Sequence, residues 1–143
     1  MTALDLELVQ KRLQEILSFA KELEEFAKIS KKGFLKNTER QYAVMHLLQL
    51  TIEASLSLGN HIIARERLGV PQNYQDTFAL LEKGKILEPE FAEEMKKMAR
   101  FRNRLVHIYW EIDTPQLYEI LTTRLGDFKE YVASIRKHID VVS

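Results

Sequence analysis

Met45-His46-Leu47-Leu48-Gln49-Leu50-Thr51-Ile52-Glu53-Ala54-Ser55-Leu56-Ser57-Leu58-Gly59 carries two apolar rows at once. Met45, Leu48, Ile52 and Leu56 make one row; Val44, Leu47, Ala54 and Leu58 make the other. Recurrence at three and four residues is helical, and a helix apolar on more than one side needs neighbours on more than one side. The stretch therefore reads as the central helix of a bundle. Thr38 opens it, with Gln41 completing a capping box, and it runs to about Leu68, where Gly69-Val70-Pro71 stops it. Gly59 costs about 1 kcal/mol against alanine inside a helix, and close packing against a neighbour would explain its presence.

Upstream, Val9, Leu13, Ile16, Ala20, Leu23 and Ala27 repeat every four and three residues, widened by Leu17 and Phe26. That predicts a first helix from about Leu4 to Ile29, ended by Ser30-Lys31-Lys32-Gly33 through a glycine able to take positive φ. Downstream, Asp76 is expected to cap a short third helix, Thr77 to Lys83, which Gly84 terminates. Pro89 suits the first turn of a fourth helix, and Asp113-Thr114-Pro115 repeats that signal for a fifth. The fifth has the stripe Leu117, Leu121, Arg124, Phe128, Tyr131 and Ile135. No strand pattern, repeat or long linker interrupts the chain. The expected fold is all-α: one domain over residues 1–143, an antiparallel helical bundle of four long helices and one short one.

Composition excludes several classes of function. Lysine plus arginine equals aspartate plus glutamate, 21 each, so any contact with nucleic acid must use a local patch. Cysteine is absent, which removes disulfides, thiolate metal sites and cysteine nucleophiles together. No apolar run approaches the ~20 residues of a membrane span, and no signal-peptide pattern opens the chain. A soluble, cytoplasmic protein is expected.

The polar chemistry collects in Met98-Ala99-Arg100-Phe101-Arg102-Asn103-Arg104-Leu105-Val106-His107-Ile108-Tyr109-Trp110. Phe91, Met95, Met98, Arg102, Leu105 and Tyr109 follow one helical face, so Arg102 stands on an apolar stripe and must find a partner or an interface. The four histidines are His46, His61, His107 and His138. None follows a glutamate at the Glu-x-x-His spacing that helical bundles use for metals, so neither a metal site nor a cofactor is expected. His46 and His138 read as structural or solvated.

His107 differs in its company. Asn103 lies one turn earlier and can orient the imidazole on a continuous helix. Arg102, five residues earlier, is about 140° away around an ideal helix. The two can meet only if the helix bends or ends near His107, or if two chains share one cleft across a two-fold axis. The blander alternative pairs Arg102 with Glu53 in a buried salt bridge and leaves His107 as a cation at a helix C-terminus. Lys96, Arg100 and Arg104 form a basic row that is either a solvated face, as Glu90, Glu93 and Glu94 upstream suggest, or a holder of phosphate backbone.

Arg102-Asn103-Arg104-Leu105-Val106-His107-Ile108-Tyr109 resembles the signature of HEPN domains: arginine, a polar residue, three residues, histidine. The tyrosine two positions after the histidine makes it most similar to the HepT branch. Thr51-Ile52-Glu53-Ala54, Gly59-Asn60-His61-Ile62-Ile63, Pro71-Gln72-Asn73-Tyr74 and Phe78-Ala79-Leu80-Leu81 look like that family too, as do Trp110 and Asp113. The likeness covers about Thr38 to Leu121. It departs from the common pattern at Arg100, Arg104 and Ile108, which bears on pocket shape and substrate.

The resemblance implies a helical homodimer with two copies of the motif at one cleft. It also implies a metal-independent endoribonuclease toxin of a type VII-like toxin–antitoxin pair, with a small nucleotidyltransferase as antitoxin. Arg102 and His107 would be the catalytic pair, Asn103 and Tyr109 their support, and Tyr109 the acceptor of AMP from that partner. Residue chemistry is compatible: an imidazole can move the proton of a ribose 2′-hydroxyl or of the leaving oxygen. A guanidinium can hold two phosphate oxygens as their charge grows. The competing reading is a non-catalytic HEPN subunit that binds a nucleotidyltransferase, a nucleotide or both.

Overall fold

The computed structural model describes residues 3–142. Seven α-helices carry the fold: α1 Leu6–Ala27, α2 Lys31–Leu35, α3 Thr38–Glu66, α4 Tyr74–Lys83, α5 Pro89–His107, α6 Thr114–Thr123 and α7 Gly126–Val142. A 3₁₀ turn, Tyr109–Glu111, links α5 to α6. Among the described residues there is no strand. No helix among them is long and apolar enough to cross a membrane.

The central role expected of α3 is realised, since it touches every other helix. Its two apolar rows explain this: Val44, Leu48, Ile52 and Leu58 are sealed from solvent. The α1 helix runs antiparallel to α3, with the backbone of Asp5 against His61 and Arg12 against Ser57. The α5 helix is antiparallel to it as well. Arg102 meets Glu53, and beyond the end of α5 Tyr109 meets Tyr42 near the start of α3. Gly59 is where α3 is approached most tightly. A Cβ there would lie 2.8 Å from Thr77 Cγ2 and 2.9 Å from Tyr131 Oη, so the expectation of close packing holds. Tyr131, fully buried, donates its hydroxyl to the Ser55 carbonyl at 2.8 Å, and that burial pushes its pKa far up.

Local chemistry redraws several boundaries. Ser30 does not lead out of α1; it caps α2, its hydroxyl accepting from Gly33 N–H at 3.1 Å. Gly33 therefore lies inside a helical turn pinned by the buried Phe34. Asn37, not Thr38, caps α3. Gln41 instead donates its amide to the carbonyls of Phe34 and Leu35, satisfying the end of α2. Asn73 caps α4, and Asp76 sits three residues on, accepting from Gln72 N–H at 2.8 Å. Asp76, the cap expected from the sequence, donates its N–H to Asn73 Oδ1 instead.

The expected fifth helix is two. Its stripe survives, with Leu117, Leu121, Phe128, Tyr131 and Ile135 fully buried, but the helix breaks at Arg124 and Leu125 before Gly126. Gly126 opens α7, and nothing crowds it. Arg124 leaves the core to form ion pairs with Glu94 of α5 and Asp127 of α7.

Candidate active site

The last turns of α5 present Arg102 toward α3. Its Nε and Nη2 donate to the same oxygen of Glu53, Oε2, at 3.1 and 2.7 Å. Nη1 makes a longer contact, 3.4 Å, to Asn103 Oδ1. The guanidinium also lies over the Tyr74 ring, 4.6 Å from its centroid. The side chain is only 13% exposed. The charge on the apolar stripe is thus partnered within the protomer, by the carboxylate the sequence offered. Arg102 does not need a second chain to neutralise it.

The pairing leaves chemistry unused. A guanidinium has five N–H donors in a planar fork, and Glu53 takes one edge of it. The Nη1/Nη2 edge keeps donors spaced for two phosphate oxygens.

The α5 helix ends at His107 because Ile108 takes φ −141° and ψ 41°, outside the helical region. The end near His107 that the angular argument allowed is present. His107 is exposed and has no hydrogen-bond partner among the described residues. The expectation that Asn103 orients it is not met, for the Asn103 oxygen turns to Arg102. His107 and Asn103 line a cavity of about 680 Å³ with Asn60, Tyr74 and Thr77. Arg102 and Glu53 line the adjoining one, which shares Asn60 and Tyr74. Thr77 donates its hydroxyl to Asn60 Oδ1 at 2.7 Å, fixing Asn60 between the two.

The same helix end moves Tyr109 off the face of Arg102. It enters the 3₁₀ turn and meets Tyr42 and Trp110 instead, at ring-centroid distances of 6.3 and 5.3 Å.

The basic row divides. Lys96 is tied to Glu93 at 2.7 Å and to Glu82 at 3.4 Å. The hydrogen bond to Glu93 raises the lysine's pKa and lowers the glutamate's. Arg100 is exposed. Arg104 lies over Phe101 and reaches Gln116 at 3.4 Å. Both arginines line a groove of about 520 Å³ between α5 and α6.

The remaining histidines have other work. His61 Nε2 accepts the Asp5 N–H at 3.0 Å at the start of α1. Burial first, then Arg65, depresses its pKa, against an opposing pull from Asp5. His138 meets Glu66 at 2.6 Å, and His46 is exposed. Among the described residues no three His, Cys, Asp or Glu side chains cluster as metal ligands would.

Residues 16–135 match the family described as ribonuclease HepT-like. The chain belongs to that family. It is 30% identical over 139 residues to a tRNA nuclease HepT of Aphanizomenon flos-aquae, spanning 97% of this chain and 95% of that one. It is 30% identical over 103 residues to an mRNA nuclease HepT of Shewanella oneidensis, spanning 72% and 77%. Among solved structures it is similar to a tri-AMPylated HEPN toxin of Shewanella oneidensis in complex with MNT antitoxin. There the TM-score is 0.85 at 25% identity, over 91% of this chain and 97% of that one. A toxin–antitoxin structure with AMP-PNP shares the fold at TM-score 0.86 and 24% identity, over 92% and 98%. The all-α HEPN fold and the HepT-like family, both expected from the motif and its flanks, stand.

Glu53 was foreseen as a partner of Arg102. Tyr74, Asn60 and Thr77 were not foreseen as parts of the site. Tyr74 was visible only as part of a family-like segment, and no spacing rule places it over an arginine 28 residues away in sequence.

Proposed function

We propose that this HepT-like protein is a metal-independent endoribonuclease, the toxin of a pair whose antitoxin is a small nucleotidyltransferase acting on Tyr109. One observation carries the reading. Arg102 is held by Glu53 through its Nε/Nη2 edge, with only a 3.4 Å contact from Nη1 to Asn103, beside a cavity in which His107 stands exposed and unpartnered.

In the proposed reaction the ribose 2′-oxygen attacks the adjacent phosphorus, and the bond from phosphorus to the 5′-oxygen of the next nucleotide breaks. His107 takes the 2′-hydroxyl proton or delivers one to the leaving oxygen. Arg102 binds two phosphate oxygens with its free edge and stabilises their growing charge. Asn103 contacts Arg102 and so helps aim it. The products are a 2′,3′-cyclic phosphate and a 5′-hydroxyl. A single imidazole cannot be base and acid in one concerted step, and a homodimer with two motifs at one cleft would supply the second. That part rests on the family likeness, because Arg102 is already neutralised by Glu53.

The relatives named as tRNA and mRNA nucleases support an RNA substrate. The test is cleavage of total RNA by purified protein, with and without EDTA, and with His107→Ala. Cleavage that survives EDTA, leaves cyclic phosphate ends and falls at least ~100-fold in His107→Ala is expected. Undiminished activity in that variant would refute the assignment. Binding of RNA or nucleotide without cleavage would select the non-catalytic subunit.

A further inference from the structure

Seven large hydrophobic side chains stand exposed among the described residues, and four are aromatic: Tyr42, Tyr74, Tyr109 and Trp110. All four lie around the Arg102–Trp110 stretch. Tyr74 is occupied by Arg102. The other three form a continuous cluster in which Tyr109 meets Tyr42 and Trp110 edge to face, with interplanar angles of 74° and 81°.

The cluster does not owe its exposure to a loose loop. Glu111 N–H donates to the Ile108 carbonyl at 2.8 Å and Ile112 N–H to that of Tyr109 at 3.2 Å. The buried Ile112 nails the turn to the core. Tyr42 comes from α3, the best-packed helix. These rings are held out into water by ordered backbone, a cost the fold itself does not require.

In an edge-to-face contact only one ring spends a face, so open π-surface remains, most of all on Trp110, which is 67% exposed. Close to it in the chain stands His107, exposed and separated from the turn by Ile108 alone. Open aromatic faces on rigid backbone, close to an exposed imidazole that can hydrogen-bond a phosphate, are what an unpaired nucleobase with its phosphate requires.

We propose that Tyr42, Tyr109 and Trp110 form a stacking platform for a single-stranded RNA base, seating the nucleotide next to the one cut at His107. This rests on the nuclease reading for its substrate. It adds Tyr42 and Trp110 as positioning residues, sequence-tolerant because every base has a π-face. Duplex RNA, with its bases stacked on one another, cannot use the platform.

Trp110 is the sole tryptophan of the chain, so its fluorescence reads this site alone. The full chain carrying His107→Ala, which prevents turnover, is titrated with single-stranded decaadenylate and, separately, with inorganic polyphosphate. Saturable quenching by the oligonucleotide and none by polyphosphate is expected. Tyr42→Ala should weaken binding about 5- to 150-fold, the worth of one base–aromatic stack, while Tyr42→Phe, which keeps a ring, should bind nearly as the parent does. In the His107-bearing protein, Tyr42→Ala and Trp110→Ala should raise KM more than they lower kcat. Circular dichroism checks that these exposed truncations leave the bundle folded.

Equal quenching by polyphosphate would reduce the site to electrostatics and overturn the platform. Loss of the dimer in Tyr42→Ala and Trp110→Ala, read by light scattering, would place a second copy on the rings, and also overturn it. Normal cleavage with no quenching and unchanged KM in both variants would remove the platform and leave the nuclease. Quenching in a protein that cuts no RNA would do the reverse.

Discussion

A single carboxylate oxygen of Glu53 receives both Nε and Nη2 of Arg102, at 3.1 and 2.7 Å. The contact joins the middle of α3 to the end of α5 and fixes which edge of the guanidinium remains for a ligand. Glu53 is thereby a positioning residue: it touches the arginine and not the phosphate that the arginine would bind.

Removing it should therefore act through geometry. Glu53→Ala is expected to lower kcat for RNA cleavage about tenfold or more, with a smaller change in KM, because the free edge is no longer aimed where charge develops. Glu53→Gln keeps one acceptor oxygen and should recover part of the loss. Steady-state kinetics on a defined oligoribonucleotide decides. Equal activity in Glu53→Ala and the parent would show that the pair only stabilises the bundle.

The basic row makes a second, separable prediction. Each phosphate contact contributes nearly one unit to the slope of log K against log salt. Arg100→Ala and Arg104→Ala should each flatten that slope by about 0.7 for single-stranded RNA. Lys96→Ala should leave it almost unchanged, since Glu93 and Glu82 already hold that ammonium. A Lys96 variant that loses as much slope as the arginine variants would contradict the division.

What the sequence disclosed follows from which interactions are periodic. The rows of α3, the stripe of α1 and the apolar face of α5 recur at fixed spacing, so the all-α bundle and the centrality of α3 could be read directly. Helix ends turn on single side chains with several possible acceptors, and there the reading slipped between Asn73 and Asp76, and between Asn37 and Thr38. The break at Arg124 and Leu125 was hidden by an apolar stripe that continues through it. In the site, Arg102 needed a partner and only its identity was open. The rotation of Asn103 away from His107, and the meeting of Tyr42 with Tyr109, arise from tertiary contacts that local spacing cannot encode.

Gly59 tests the packing around the site from behind. Alanine gains helix propensity of about 1 kcal/mol, but its Cβ would press on Thr77 and on the Tyr131 hydroxyl at under 3 Å. Overpacking of this kind costs about 1–3 kcal/mol. Tyr131 cannot retreat without losing its bond to the Ser55 carbonyl. Gly59→Ala should therefore lower the urea midpoint. A raised midpoint would mean that Thr77, which also holds Asn60, moves freely.

His61 gives the fold a pH dependence of defined sign. Its pKa in the folded protein lies below the ordinary 6.5, so the unfolded chain binds the extra proton first. The stability it contributes is complete above about pH 6.5 and is lost as pH falls through the folded value. Protonation also removes the acceptor for Asp5 N–H, which loosens the start of α1. His61→Gln, whose side-chain oxygen can accept without titrating, should show a smaller fall in Tm between pH 7.5 and 5.5 than the parent. Identical falls would assign the acid sensitivity elsewhere.

The fate of Tyr109 tests the proposed partner and the site together. Tyr109 is half exposed on an ordered turn, so its hydroxyl is available to an enzyme docking from solvent. Adenylylation would join the tyrosine oxygen to the α-phosphorus of ATP. The α–β anhydride bond breaks, pyrophosphate departs, and the phenolic proton passes to a base of the transferase. The attached nucleotide adds about one negative charge two residues from His107. Its adenine can lie on the rings of Tyr42 and Trp110, competing with RNA at the high effective concentration of a tether. Incubation with an MNT-type nucleotidyltransferase and ATP should add an AMP-sized mass to the peptide bearing Tyr109. Trp110 fluorescence and RNA cleavage should fall in proportion to the modified fraction, and Tyr109→Phe should abolish the mass increase. A partner that is active on other substrates yet leaves this peptide unmodified would end the idea. Modification without loss of cleavage would keep Tyr109 as the acceptor and remove it from control of the site.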